Sequence, residues 1–209
     1  MTFQGYSKKQ SIGQGSGIYI PSISLAIRII QQRMNNWYAL KVFYNRTAAV
    51  RGELEAAGCE TYVPSVVIEK IDAGGLRYGT KPIITSLLFV NCTEEFLSAF
   101  KHTHDGDFLY YCDLATKKPG KIPEAEFINF REATKTPDPD AMYLGSDTEW
   151  FKDGERVLVT EGIHKGREGW IRRIKGQKRF IVCVEGVSAV AFQNIPAAFL
   201  QVLEPSKRK

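Results

Sequence analysis

The chain has 209 residues, 44% of them apolar, and a formal net charge of +5. That suits one domain or two small ones with a packed core, and the absence of any apolar run of about eighteen residues excludes a helical membrane span. The charge is uneven: residues 1–33 hold four basic residues (Lys8, Lys9, Arg28, Arg33) and no acid, Lys207–Lys209 adds three more, and the remainder is −2. Within it, residues 151–204 carry nine basic and six acidic residues, a net +3, whereas 34–150 is near −5. This excludes a uniformly basic nucleic-acid coat, and the acidic front part is compatible with a protein partner.

Residues 1–33 are rich in Ser, Gln, Gly and Ile, and Pro21 interrupts their apolar run with no small-residue cleavage site after it. They are expected to be an extension outside the fold, ahead of a native start at Met34. Trp37–Phe43 is a strand rich in β formers. Asn45 is placed to cap a helix over Arg46–Ala57, with Gly58 just past its end. Thr61–Val63 and Val66–Ile71 are short strands split by Pro64, and Ala73-Gly74-Gly75 is a hairpin turn signal. Ser86–Asn91 is apolar without a gap, which predicts a central strand covered on both faces. Thr93 can cap a helix from Glu94 to about Phe100, and Phe108–Tyr111 returns as a strand. Pro123 fits the first turn of a helix running to about Thr134.

Thr136-Pro137-Asp138-Pro139-Asp140 breaks the pattern, so the expected organisation is a front domain over 34–135, a linker over 136–149 and a second domain over 150–206. The linker and the opposite charges predict two parts that fold independently and move relative to one another. In the second part Val157 and Val159 alternate with polar neighbours. Gly162, Gly166 and Gly169 then fall within eight residues, and Trp170–Ile174 and Arg179–Glu185 are further strands. Short strands joined by glycine turns make a small barrel. Valine, isoleucine and glycine over 157–192 disfavour a helical alternative.

Enzyme chemistry finds no foothold. Glu94-Glu95 and Glu124/Glu126 are paired acids at helix starts, where the dipole favours them. There is no nucleophile elbow, P-loop or dinucleotide glycine pattern, and Gly13, Gly15 and Gly17 precede no βα unit. Cys59, Cys92, Cys112 and Cys183 form no C-x-x-C pair and read as free thiols of a reducing cytoplasm. His102 and His104 with Cys112 lack a fourth ligand, so neither a metal nor any other cofactor is expected.

The segment Gly162-Ile163-His164-Lys165-Gly166-Arg167-Glu168-Gly169 with its flanking strands resembles a KOW motif, found in ribosomal proteins and NusG-type transcription factors. Trp37–Val42, the helix after it, Tyr62-Val63-Pro64 and Lys81–Val90 resemble the NusG N-terminal domain, so the likeness covers roughly 36–204. The spacing and the run Ile195–Leu200 look closest to specialised NusG paralogues of the UpxY type, which act like RfaH on long operons for surface polysaccharide synthesis. The resemblance implies an α/β fold: an antiparallel sheet flanked by helices, then an SH3-like β-barrel. It implies a monomeric, cytoplasmic, non-catalytic antitermination factor that binds the clamp helices of RNA polymerase.

In the family the clamp-helix depression is lined at a Phe-Pro-Gly-Tyr motif. Those positions here are Ile84, Thr85, Ser86 and Leu87, with Phe89 and Val90 following, so the implied polymerase-binding residues are Phe43, Ile84, Thr85, Leu87 and Phe89. Core packing explains Leu88 and Val90. The loop Lys101–Gly106 matches the segment that reaches the opposite side of the polymerase cleft in specialised relatives, marking His102, Thr103 and His104. Arg46 and Arg51 lie on the helix near which family members meet exposed DNA. They are five residues apart in the sequence and do not share a helix face.

The family's barrel binds ribosomal protein S10 or Rho through an Ile-Phe-x-Arg turn and a Pro-Phe loop. Here those read Glu185-Gly186-Val187-Ser188 and Ile163-His164, which leaves both partners open, as it does DNA or leader RNA. The alternative reading is an RNA-binding or ribosome-associated KOW protein. It would use Lys165, Arg167, Arg172, Arg173, Lys175, Lys178 and Arg179 with Trp170 and Phe180 as stacking rings.

Overall fold

Alternation of apolar side chains along Asn36–Val42 (β1) decides the front half. Tyr38, Leu40 and Val42 face one layer and Trp37 and Ala39 the other, all buried. The computed structural model describes residues 35–72, 75–136, 138, 141–145, 154–192 and 195–204. The chain divides into two units, 1–33 and 34–209, and all the described residues belong to the second. The expected extension, the Ala73-Gly74 turn and most of the Pro-Asp-Pro stretch lie outside the described residues.

The remaining front strands are Glu60–Tyr62 (β2), Ser65–Asp72 (β3), Gly75–Pro82 (β4), Leu87–Cys92 (β5) and Phe108–Tyr110 (β6). One antiparallel sheet has the order β2-β5-β1-β6, and β3 pairs with β4 as a separate hairpin closed by Asp72 opposite Gly75. Central β5 is covered on both faces, as its gapless apolar run predicts: Leu88, Val90 and Cys92 face one core, Leu87 and Phe89 the other.

Three helices lie among the described residues: Thr47–Ala56 (α1), Glu94–Thr103 (α2) and Glu124–Lys135 (α3). Val50 and Leu54 of α1 and Leu97 of α2 fill the first core, and Phe127, Phe130 and Ala133 of α3 fill the second. Thr93 caps α2 as expected, its hydroxyl accepting from Phe96 N–H at 3.2 Å. Asn45 does not cap α1. Tyr44 and Asn45 make a left-handed turn (φ 53° and 57°), and Arg46 holds the cap position without a side-chain bond. Gly58, at φ 87°, ends α1 as its place after the helix predicts. α2 runs one turn further than Phe100.

The C-terminal half is strand: Met142–Tyr143 (β7), Glu155–Val159 (β8), Glu168–Ile174 (β9), Gln177–Val184 (β10), Ser188–Phe192 (β11) and Leu200–Glu204 (β12), with one turn of 3-10 helix at Ala197–Phe199. The antiparallel order is β12-β8-β9-β10-β11-β7. Among the described residues its two edge strands do not pair with each other, and the last strand, β12, returns to pair with β8. β7 comes from the expected linker. The two halves do not stand apart: Trp37, Phe89, Phe127 and Phe130 share one buried cluster with Val157, Phe180, Val182, Val190 and Phe192.

Candidate functional site

Helix α3 holds the two halves together because both of its flanks are used. Trp37 stacks on Phe127 at 3.6 Å between ring centroids, and Phe89 meets Phe127 at 5.4 Å and Phe130 at 5.7 Å. On the other flank Asn129 treats β9 as a strand partner would. Its Nδ2 donates to the Glu168 carbonyl at 2.7 Å, and its Oδ1 accepts from Glu168 N–H at 3.2 Å. One helical turn earlier, Glu126 Oε1 accepts from Glu185 N–H at 2.6 Å, and burial pushes this carboxyl above its ordinary value. The turn Glu185–Ser188 is therefore docked on α3.

The segment before β5 is a compact turn pinned on three sides. Ile83 N–H donates to Pro64 O at 2.9 Å, Thr47 hydroxyl to Thr85 O at 2.5 Å, and Val42 N–H to Ser86 O at 2.8 Å. Thr85 is exposed, and Ile84 is half-buried against the shared cluster. Leu87 and Phe89 are 2% and 0% exposed, so the structure makes them core rather than open surface. The reason is α3, whose phenylalanines cover that face of β5. Phe43 lies past the end of β1, half-buried, with its ring 6.2 Å from Tyr44 and outside the cluster.

A second group gathers where α1 meets the end of α2. Arg46 pairs with Asp107. His104 stacks on Phe100 at 4.0 Å, with Nδ1 2.9 Å from Phe100 O and Nε2 2.5 Å from Glu53 Oε2. Lys101, His102 and Thr103 are the last turn of α2, not a loop, and His102 and Thr103 are exposed. Arg51 turns away, to Glu55 at 2.7 Å, and Thr61 shares that carboxylate. The structure thus brings Arg46 and His104 together and leaves Arg51 apart.

In the KOW-like loop, Gly162 and Gly166 take φ of 83° and 80°, and Gly166 N–H donates to Val159 O at 2.8 Å. Gly169 answers a different need: a Cβ there would lie 2.3 Å from Ile181 O and 2.7 Å from the Phe180 ring. Ile163 and Lys165 are exposed. His164 is not a loop-tip residue. It is 3% exposed, 4.2 Å from the Phe192 ring, with Nε2 3.3 Å from Asp138 Oδ2, and burial pushes its pKa below the ordinary value. Phe180 is buried beneath Gly169 and cannot stack on a base. Arg156 is held by Glu168 at 2.9 Å and Glu204 at 3.1 Å, and Arg167 lies 3.8 Å from Glu132.

Sequence reasoning missed Asn129, and it took Glu126 only as an acid favoured at a helix start. Among the described residues no group of three or more His, Cys, Asp or Glu is placed to hold a metal ion, and no helix is long and apolar enough to cross a membrane.

Residues 35–131 match the family described as NusG, transcription termination factor nusG. The front part of the chain is thus similar to a NusG-type domain over those residues. A solved structure titled "Domain interaction in Thermotoga maritima NusG" is similar over 83% of this chain and 99% of that one, at 13% identity and a TM-score of 0.40. No curated protein matches.

Proposed function

We propose that this protein is a non-catalytic transcription elongation and antitermination factor that binds the clamp helices of RNA polymerase. The observation that carries the reading is the NusG-type domain over 35–131, with the Ile84-Thr85 turn presented at the head of its central strand. With Leu87 and Phe89 buried, the contact runs through Ile84, Thr85 and Phe43, and the buried pair supports the turn from below. Arg46, His102, Thr103 and His104 form the second contact, on polymerase or DNA. Readthrough of long operons for surface polysaccharide synthesis rests on the UpxY-like spacing and the Ile195–Leu200 run. The C-terminal sheet completes an SH3-like KOW domain whose partner is Rho, ribosomal protein S10 or another protein.

A pull-down with RNA polymerase tests the reading. Ile84→Asp removes a central apolar anchor, which costs about 2 kcal/mol or more at such interfaces. Binding is expected to fall at least tenfold with an unchanged circular dichroism spectrum. Its salt dependence is expected to be shallow, because the front domain is acidic. A folded Ile84→Asp protein that binds like the parent overturns the site. If the parent ignores polymerase and binds free RNA with a steep salt dependence, the RNA-binding or ribosome-associated reading replaces this one. The burial of Phe180 and the ion pair of Arg167 with Glu132 count against that alternative.

A further inference from the structure

β2 and β5 pair in a fixed antiparallel register, Glu60 opposite Asn91, Thr61 opposite Val90 and Tyr62 opposite Phe89. One step further along the same ladder sets Cys59 directly across from Cys92. The faces agree as well. Val90 and Cys92 point into the core beneath α1 and α2, and Cys59 packs against that same core, while Tyr62 and Phe89 point the other way. Directly opposed residues hold their Cβ atoms about 4.5–5.5 Å apart, and a disulfide needs about 3.5–4.5 Å. Closing the bond therefore asks for a shift of about 1 Å.

The two thiols differ in a way that suits ordered chemistry. Cys59 is half-buried at the junction of α1 and β2, and Cys92 is 3% exposed. The two sulfurs interact across the ladder. This lowers the Cys59 thiol below its ordinary value and raises Cys92 above it. The reachable sulfur is thus the one that ionises first. The other thiols have no such mate among the described residues: Cys183 sits in a separate core of the C-terminal sheet, and exposed Cys112 has its Sγ 3.7 Å from Tyr110 O.

We propose that Cys59 and Cys92 are a redox-modification site that closes to a cross-strand disulfide on oxidation by peroxide. The Cys59 thiolate attacks one peroxide oxygen, breaks the O–O bond and leaves as a sulfenic acid, releasing hydroxide. The Cys92 sulfur then attacks the Cys59 sulfur and expels the sulfenic oxygen, which takes the Cys92 proton and leaves as water, while the proton shed by Cys59 on ionising neutralises the hydroxide released first. Two thiols and one hydrogen peroxide become one disulfide and two waters, and a dithiol reductant reverses the net change. The bond ties the end of α1 to the strand that leads out of the Ile84-Thr85 turn.

The test uses the full chain with Cys112→Ser, which removes the exposed thiol without touching the pair. After brief hydrogen peroxide treatment, thiols are counted in denaturant and the intact mass is measured. The three remaining thiols are expected to fall to one, with a mass loss of two hydrogens that dithiothreitol reverses, and the peptides holding Cys59 and Cys92 are expected to be linked. Adding Cys59→Ser, at a half-buried position that leaves the buried thiol in place, is expected to abolish the mass loss. An unchanged thiol count overturns the proposal. So does a gain of oxygen on Cys59 with Cys92 still reduced, or a linkage that involves Cys183.

Discussion

The front sheet and the C-terminal sheet are filled in different proportions of rings and small side chains. Around β1 and β5 the space is taken by large rings, Trp37, Phe89, Phe127 and Phe130, carried partly by a helix laid over the sheet. Around β10 and β11 more of it is taken by valines and alanines, with Phe180 and Phe192 as the only rings of the two strands, and at Gly169 by no side chain at all. A ring-filled core loses stability through cavities. A core built on close strand approach loses it through crowding. The same apolar cluster runs through both, so damage to either is expected to be felt by the whole unit.

The largest effect tests the ring side. Phe127→Ala removes the ring that touches Trp37, Tyr62 and Phe89 and is expected to cost about 4 kcal/mol in urea unfolding. It is expected to shift the transition of both halves together. A loss confined to the front half breaks the idea of a shared core. Gly169→Ala tests the crowding side, with an expected cost of about 3 kcal/mol because the new methyl meets a backbone carbonyl that no rotamer change can clear. Combining it with Phe180→Leu sharpens the point. The ring clash goes and the carbonyl clash stays, so only part of the loss is expected to return.

Asn129→Ala is a smaller probe of the joint. It removes two hydrogen bonds between α3 and β9 and is expected to cost about 1 kcal/mol while leaving a single unfolding transition. Two transitions would show that polar contacts, not the shared cluster, couple the halves. The smallest effect is on pH. Burial, with help from the Arg167 charge, depresses His164 in the folded protein, while Asp138 pulls the other way by favouring its proton. The unfolded chain therefore takes up the proton more readily. Stability is expected to fall as pH drops below about 6.5, the unfolded value, and to level off below the depressed folded value. His164→Gln is expected to flatten that curve.

The local features of the fold were legible because short stretches determine them. The gapless run through Leu87–Val90 announces a strand with two covers, Thr93 before Glu94-Glu95 announces a helix start, and Gly58 announces a helix end. Asn45 misled because a residue that caps helices also tolerates the left-handed turn it adopts here. The likeness to the NusG family over 35–131 was likewise legible in Trp37–Val42 and Lys81–Val90. What was not legible depends on distant partners. Phe127 and Phe130 give no local hint that they will cover Leu87 and Phe89, and His164 reads as a loop tip until Phe192 and Asp138 arrive beside it. The Pro-Asp-Pro stretch gave no hint that Met142 and Tyr143, just beyond it, would join the C-terminal sheet opposite Ala191 and Val190.

The register of β1 also bears on how the protein is made. Leu40 is among the first folded residues to leave the ribosome, yet its partners are Leu88 on one side and Tyr110 on the other, and Trp37 also bridges to Ile122. At roughly 5–20 residues per second, an aromatic-rich strand waits on the order of several seconds with both edges bare. Until β5 arrives to pair with it, that nascent strand is an open edge on which another copy of itself could pair.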